Sequence, residues 1–236
     1  MKKSNKPKPI TENDSRQTQW RLLLVVPLSA LAVGLGYAVL SLPSQAPGLS
    51  KHVAAKLETS GVSNPVTAVL LNFRGYDTLL ELGVLLLALL GVWSLGAAPK
   101  RHEPPPGLVL ELLSRLLVPL LILVAGYLLW AGAGAPGGAF QAGSVLATAG
   151  VLLLLAGWRL DSRFSGLPLR LALVAGLGVF LLVAVVLILL GGRLLEYPPS
   201  FAGALILLIE AAATLSIGTA LAALFLGGRP EKGAHR

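Results

Sequence analysis

LALVAGLGVFLLVAVVLILL, residues 171–190, is twenty residues long and contains no charged or amide side chain. A helix of that length rises about 30 Å, the thickness of a bilayer's hydrocarbon core. A helix at the surface of a soluble protein needs a polar face. This stretch has none, so it reads as a membrane span.

The same pattern recurs on both sides of it. Outward from this stretch, the fifth apolar run covers 167–190 and a sixth covers 201–226, with Tyr197-Pro198-Pro199 between them. Upstream lie runs at 140–160, 108–130, 78–97 and 20–42. The first carries Gly34 and Gly36, a small patch on which another helix can pack. It is long for a signal peptide and reads as a retained anchor, although Ser44-Gln45-Ala46 is a weak cleavage site. The expected fold is therefore an all-α integral membrane protein of about six transmembrane helices.

Composition agrees. Apolar residues make up 55% of the chain and charged ones 13%, too few polar groups for a soluble surface. There is no Cys, so neither a disulfide nor a thiolate metal site is available. His52, His102 and His235 all lie in hydrophilic stretches. The net charge of +8 is carried by Lys and Arg that flank the spans, which is a topology signal rather than a nucleic-acid patch. With six spans, Lys100, Arg101, Arg159, Arg163, Arg170, Arg229, Lys232 and Arg236 share the side of the basic 1–19 tail. Lys51, Lys56, Arg74 and Arg193 are left for the other side, so both termini are expected in the cytoplasm. The 43–76 loop and the Gly-rich 131–139 link then face outward.

The segments divide as a tail (1–19), a two-span module (20–97), a proline-rich linker (98–107), a four-span module (108–227) and a second tail (228–236). In the 43–76 loop, Leu49, Val53 and Leu57 recur every fourth residue, which predicts a short amphipathic surface helix ended by Gly61. No inverted repeat is evident, which argues against a complete stand-alone transporter. No phosphate loop, G-x-S-x-G or metal-spaced His pair occurs either. No enzymatic activity, cofactor or metal is expected.

Function is then sought in polar groups at membrane depth. Glu210 lies about ten residues into the sixth run, ~15 Å along its axis. A carboxylate there costs about 2.5–3.5 kcal/mol on insertion scales. Thr214 and Gly218 follow on the same face. Glu210 reads either as part of an ion relay or subunit contact, or as a neutral acid bonded within helix packing. Arg74, Asp77 and Glu81 form a second cluster, at the start of the 78–97 run. There Thr78-x-x-Glu81 reads as a capping box with Gly75 as a turn, and the alternative is the outer mouth of a charge pathway. A third feature, Pro136-Gly137-Gly138-Ala139-Phe140, breaks the helix: it is a plain hairpin or a close-packed turn whose bare backbone meets a neighbour. Glu111 and Arg115, four residues apart, predict a helix-surface ion pair, and Asp161 with Arg159 and Arg163 an interfacial loop.

Two of these motifs resemble known families. Asn72-Phe73-Arg74-Gly75-Tyr76-Asp77-Thr78-Leu79-Leu80-Glu81, with the preceding Val66–Leu71, resembles the C-terminal end of the A subunit of Mrp-type cation/proton antiporters and the small E subunit of membrane-bound hydrogenases. Leu117-Val118-Pro119-Leu120, Tyr127 and Pro136–Gly143 resemble the antiporter B subunit, MnhB-like. The chain looks like a fusion of the two, joined at the proline-rich linker. Asn72 stands where the family often has an acid, and Ala139 where the turn usually has a third Gly.

The resemblance implies a multi-pass subunit of the bacterial cytoplasmic membrane, acting with A, C, D, E, F and G-type partners on Na+ and H+. It also implies Arg74, Asp77 and Glu81 as pathway or interface residues and Pro136, Gly137, Gly138 and Phe140 as a structural turn. Glu210 and Thr214 are nominated on physical grounds alone. A membrane subunit of an energy-converting hydrogenase or related oxidoreductase is the alternative, and a structural scaffold a third.

Overall fold

The computed structural model describes residues 12–42, 48–96, 107–158, 166–192 and 194–228, with side chains from residue 25 onward. These residues fall into two units, the first ending at Leu49 and the second starting at Ser50.

The first unit is one helix, α1 (Glu12–Leu40). It starts eight residues before the apolar run, so the expected polar tail is helical from residue 12. Glu, Gln and Arg are good helix formers and extend the helix past its apolar part. Space around Gly34 and Gly36 is open to 4 Å.

The second unit begins with α2 (Ser50–Lys56) and a 3-10 turn, Leu57–Ser60, closed by Gly61 in the left-handed conformation at φ 83°. Val53 and Leu57 are half-buried while Lys51, His52 and Lys56 are exposed, which matches the predicted amphipathic helix except at Leu49, which precedes α2 and is exposed. Residues 65–73 of the expected loop are helical as well. Asn64 caps α3 (Pro65–Ala68) by accepting from the Val66 N–H at 3.0 Å, and Pro65 occupies the first helical position. A π-helical turn follows at Val69–Phe73 and leads into α4 (Gly75–Ser94). The chain thus enters α4 already helical, so the expected capping box does not form. The Thr78 hydroxyl donates to the Leu70 carbonyl at 2.7 Å, satisfying an acceptor at the wide turn. Gly75 is no turn either; a Cβ there would lie 2.9 Å from Leu195 Cδ1. Leu195 itself is buried at φ 58°, an uncommon conformation for Leu.

Four long helices complete the unit: α5 (Leu108–Ala131), α6 (Ala139–Leu155), α7 (Leu167–Leu189) and α8 (Ala202–Phe225). α4, α5, α7 and α8 are long and apolar enough to cross a membrane. α6, at 17 residues, rises about 26 Å and is shorter. It ends at Leu155, five residues before the expected span end. The linker at 98–106 and the Arg159–Asp161–Arg163 loop lie outside the described residues.

α8 is the central element, with eleven buried residues. Its small side chains allow close approach on three sides. α6 packs alongside it: a Cβ on Gly143 would sit 2.8 Å from Ile217 Cβ, and one on Gly218 3.0 Å from Leu146 Cδ2. On α7, Gly176 faces Ala213 and Ser216, and the Ser216 hydroxyl donates to the Leu173 carbonyl at 2.6 Å. Leu79 and Leu82 of α4 join Ile206 and Ile209 of α8, and Leu89 joins Ala220 and Ala223. So α4, α6 and α8 run parallel to one another and α7 runs antiparallel to α8. The alternation required of consecutive spans is present in these packed pairs. Most of the outer surface is apolar: Leu116, Leu123, Tyr127, Trp130, Leu182 and Leu189 are all exposed. That is the surface of a protein facing lipid or other helices.

The Glu111–Arg115 pair forms as expected, at 2.6 Å with both side chains substantially exposed. Such pairs contribute a few tenths of a kcal/mol. Glu111→Gln should therefore shift the thermal midpoint of the detergent-solubilised protein by less than about 2 °C.

Candidate functional site

The helices are apolar all round, so the polar groups they bury define the site. Glu210 is the ninth residue of α8, about 12 Å from its start, and only 3% of its surface is exposed. No other acid and no base is buried with it among the described residues. It faces the Gly-rich turn between α5 and α6. A Cβ placed on Gly138 would lie 2.8 Å from Glu210 Oε1, and the Ala139 backbone N–H, first in α6, is hydrogen-bonded to the carboxylate. Oε2 is buried with no hydrogen-bond partner.

The turn is built for this approach. α5 ends at Ala131, and the N–H groups of Gly132 and Gly138 both donate to the Leu128 carbonyl, at 3.2 and 2.9 Å. Such closure leaves no room for side chains. A Cβ on Gly132 would lie 2.7 Å from Gly138 Cα, and one on Gly137 2.4 Å from the Leu128 oxygen. Gly138 lies at φ 105°, outside the regions open to other residues. No side chain caps α6, so its first N–H groups are free to meet an acceptor from elsewhere. The carboxylate of Glu210 supplies it, at the end where a helix dipole favours negative charge.

The turn is not an open hairpin. Residues 61–67 lie over it. The Ser63 and Asn64 N–H groups both donate to the Ala133 carbonyl at 3.0 Å. Asn64 Nδ2 donates to the Ala135 carbonyl at 2.6 Å and to that of Gly132 at 3.3 Å, and the Thr67 hydroxyl donates to Gly132 at 2.5 Å. On its other side, Gly61 abuts the first turn of α8: a Cβ on it would lie 2.4 Å from Ala202 Cβ. The bare backbone of the turn thus meets a neighbour, but the neighbour is an earlier segment of the same chain. α6 is short because its turn sits below the start of α8, with residues 61–67 filling the level above. Asn64→Ala should cost about 1–3 kcal/mol by leaving the Ala135 carbonyl at this covered turn unpaired and the Gly132 carbonyl to Thr67 alone, measurable as a lowered unfolding midpoint.

Of the other nominated residues, Thr214 is buried beside Glu210 on α8, and its hydroxyl donates to the Glu210 backbone carbonyl at 2.8 Å rather than to the carboxylate. Phe140 packs partly buried against the core and Pro136 is exposed. Arg74 and Asp77 form an exposed ion pair at 2.5 Å in the first turn of α4. Glu81, one turn on, is exposed and makes no hydrogen bond or ion pair among the described residues. No contact links this trio to Glu210 among those residues. Asn72 Nδ2 donates to the Ser60 carbonyl at 3.0 Å, bracing residues 60–67 from behind. Tyr197, in the α7–α8 link, is buried, which holds its phenol protonated well above the ordinary range. Asn64 and Thr67 escaped sequence reasoning, although Asn64-Pro65 is a helix-start signal.

These features define a multi-pass membrane protein. Residues 109–223, which take in nearly all of α5 to α8, match the family model described as a domain related to the MnhB subunit of Na+/H+ antiporter. Two solved structures share the fold. A chain of the membrane-bound sulfane sulfur reductase, an archaeal respiratory membrane complex, aligns with TM-score 0.66 and 24% identity over 89% of this chain and 97% of that one. A chain of the Mrp complex from Dietzia sp. DQ12-45-1b aligns with TM-score 0.63 and 23% identity over 98% of this chain, which spans about a quarter (27%) of its length. No curated protein sequence matches.

Proposed function

We propose that the chain is a membrane subunit of a multi-subunit Mrp-type complex that exchanges Na+ for protons across a bacterial cytoplasmic membrane. Its role is to contribute to the ion pathway and to subunit contacts, alongside A, C, D, E, F and G-type partners, with no catalytic activity of its own. The observation that carries this reading is the Glu210 carboxylate, buried in the MnhB-related domain at the α5–α6 turn with one oxygen unpartnered. The extensive exposed apolar surface supports partners and lipid around it. Arg74, Asp77 and Glu81 are assigned to an interface with a partner subunit, since they point away from the packed core. Both termini are placed in the cytoplasm on the distribution of Lys and Arg.

The chain is also read as a fusion of two modules. An alignment covering 89% of it to one solved chain cannot be confined to 109–223, which supports the two modules occurring together in one polypeptide.

The test is Na+-dependent proton flux by the whole complex in an antiporter-deficient strain. Glu210→Gln is expected to lower flux about tenfold or more, the scale of losing one proton-transfer group, while the complex still assembles. Normal flux in Glu210→Gln and in Glu81→Gln alike leaves a scaffold role only.

A second reading is a membrane subunit of an ion-coupled oxidoreductase. It is favoured by the near full-length alignment to a chain of the sulfane sulfur reductase complex. Purifying the native complex separates the two: co-purification of redox-centre subunits selects the second.

A further inference from the structure

We infer that Glu210 is a proton-binding site seated on the N-terminus of α6, taking up and releasing H+ rather than coordinating a metal cation. This rests on the proposed placement of Glu210 in an ion pathway and names the ion that it holds.

Two independent features point to a ligand. The first is the helix N-terminus: α6 is 17 residues long, has no side-chain cap, and its Ala139 N–H is hydrogen-bonded to Glu210. The second is Oε2, on a side chain that is 3% exposed, which lies buried with no partner. An ionised carboxylate gains most from the first feature and suffers most from the second; a protonated one gains less from the first and loses less to the second. Each state has something to hold it, as a group that loads and unloads a proton requires.

A metal cation is poorly served here. Na+ needs several oxygen ligands, as hard cations do. Apart from the exposed Gln141, whose single amide Oε1 would lie 3.8 Å from a Cβ on Gly138, the side chains packed around this part of α8 are apolar or small: Ile206, Ile209 and Ala213 of α8, Ala139 and Ala142 of α6, and Phe180 of α7. The Thr214 hydroxyl is committed to a backbone carbonyl. The oxygens of Ser63, Thr67 and the turn carbonyls of Gly132, Ala133 and Ala135 are engaged with one another across the 61–67 cover.

Among the described residues, Glu210 is the one buried charged side chain, and Glu196 of the α7–α8 link is exposed. From α4, Arg74 and Asp77 pair together on an exposed face, and Glu81 is exposed. From α5, Glu111 pairs with Arg115. Arg170 of α7 is exposed, α6 offers only neutral Gln141, and residues 61–67 carry no titratable side chain. Tyr197 is the other buried titratable group among the described residues, and its phenol stays protonated.

Infrared spectroscopy of the purified full-length chain tests this without partners. A protonated-carboxyl C=O band is expected. It should shift in heavy water, disappear reversibly as pH is raised, and be absent from Glu210→Gln. Gly138→Ala, whose Cβ would press on Oε1, should displace the band while the far-ultraviolet circular dichroism stays helical. Three results overturn the inference: no such band, a band that persists in Glu210→Gln, or a band that Na+ abolishes at constant pH while choline does not. The last identifies a metal-cation site. Because the readout needs no flux, a titrating band in a chain whose complex carries no Na+/H+ exchange defeats the antiporter reading alone. Intact flux without the band defeats this inference alone.

Discussion

Gly137→Ala is expected to destabilise the second unit by about 3 kcal/mol, the upper range for inserting a methyl group into a packed site. The added Cβ would lie 2.4 Å from the Leu128 backbone oxygen and 3.1 Å from the Gly132 nitrogen. Neither atom belongs to a flexible side chain, so the backbone of the turn has to move. That oxygen also accepts the N–H groups of Gly132 and Gly138. Displacing it loosens both ends of the turn together, and with them the carbonyls on which Asn64 and Thr67 bond. Gly126→Ala is the control. It lies inside α5 with open space around it, and Ala is the better helix former, so it should be neutral or slightly stabilising. Thermal unfolding of the two variants in detergent should separate them by about 6–12 °C for a domain of this size. Equal midpoints would mean that the turn is not closed as described.

Much of this architecture is legible in the sequence because the bilayer simplifies the problem. Any spanning segment must be long, apolar and internally hydrogen-bonded, so uninterrupted runs such as 167–190 announce themselves. Local signals are legible too: Val53, Leu57 and Gly61 mark the amphipathic helix, although Leu49 precedes it and is exposed, and the spacing of Glu111 and Arg115 gives their pair.

What failed was anything that depends on which helices touch. A span that is apolar all round has no stripe to reveal its buried side, so nothing in α6 or α8 foretold that Gly138 and Glu210 meet. The expected capping box failed for a related reason. Thr78-x-x-Glu81 fits the pattern, but a helical turn already precedes Gly75, and no free helix start remains for Thr78 to cap. Glu81 was placed by family resemblance and Glu210 by burial cost. Only Glu210 turns inward, since the packed face of α4 is given over to Leu79, Leu82 and Leu89.

The division into modules meets its sharpest test at Gly61. The match to the MnhB-related family model starts at residue 109, yet residues 61–67 complete the α5–α6 turn inside it, so the second unit should unfold as one body. Gly61→Val is expected to cost about 3 kcal/mol or more. Part is conformational, since φ 83° costs a β-branched residue about 1–2 kcal/mol. The rest is steric: the new Cβ would lie 2.4 Å from Ala202 Cβ and 2.8 Å from the Gly203 nitrogen, at the first turn of α8. The segment would have to lift away from α8, taking Ser63 and Asn64 off the Ala133 carbonyl. Hydrogen exchange reads this at a distance. Amides at 132–143, some seventy residues away in sequence, should lose protection by about a hundredfold, matching about 2.7 kcal/mol of local opening, while those near the far end of α7 around 170–176 change little. If exchange at 132–143 stays unchanged, the four-helix domain closes its turn without help, and the earlier segment is an attachment rather than part of the site around Glu210.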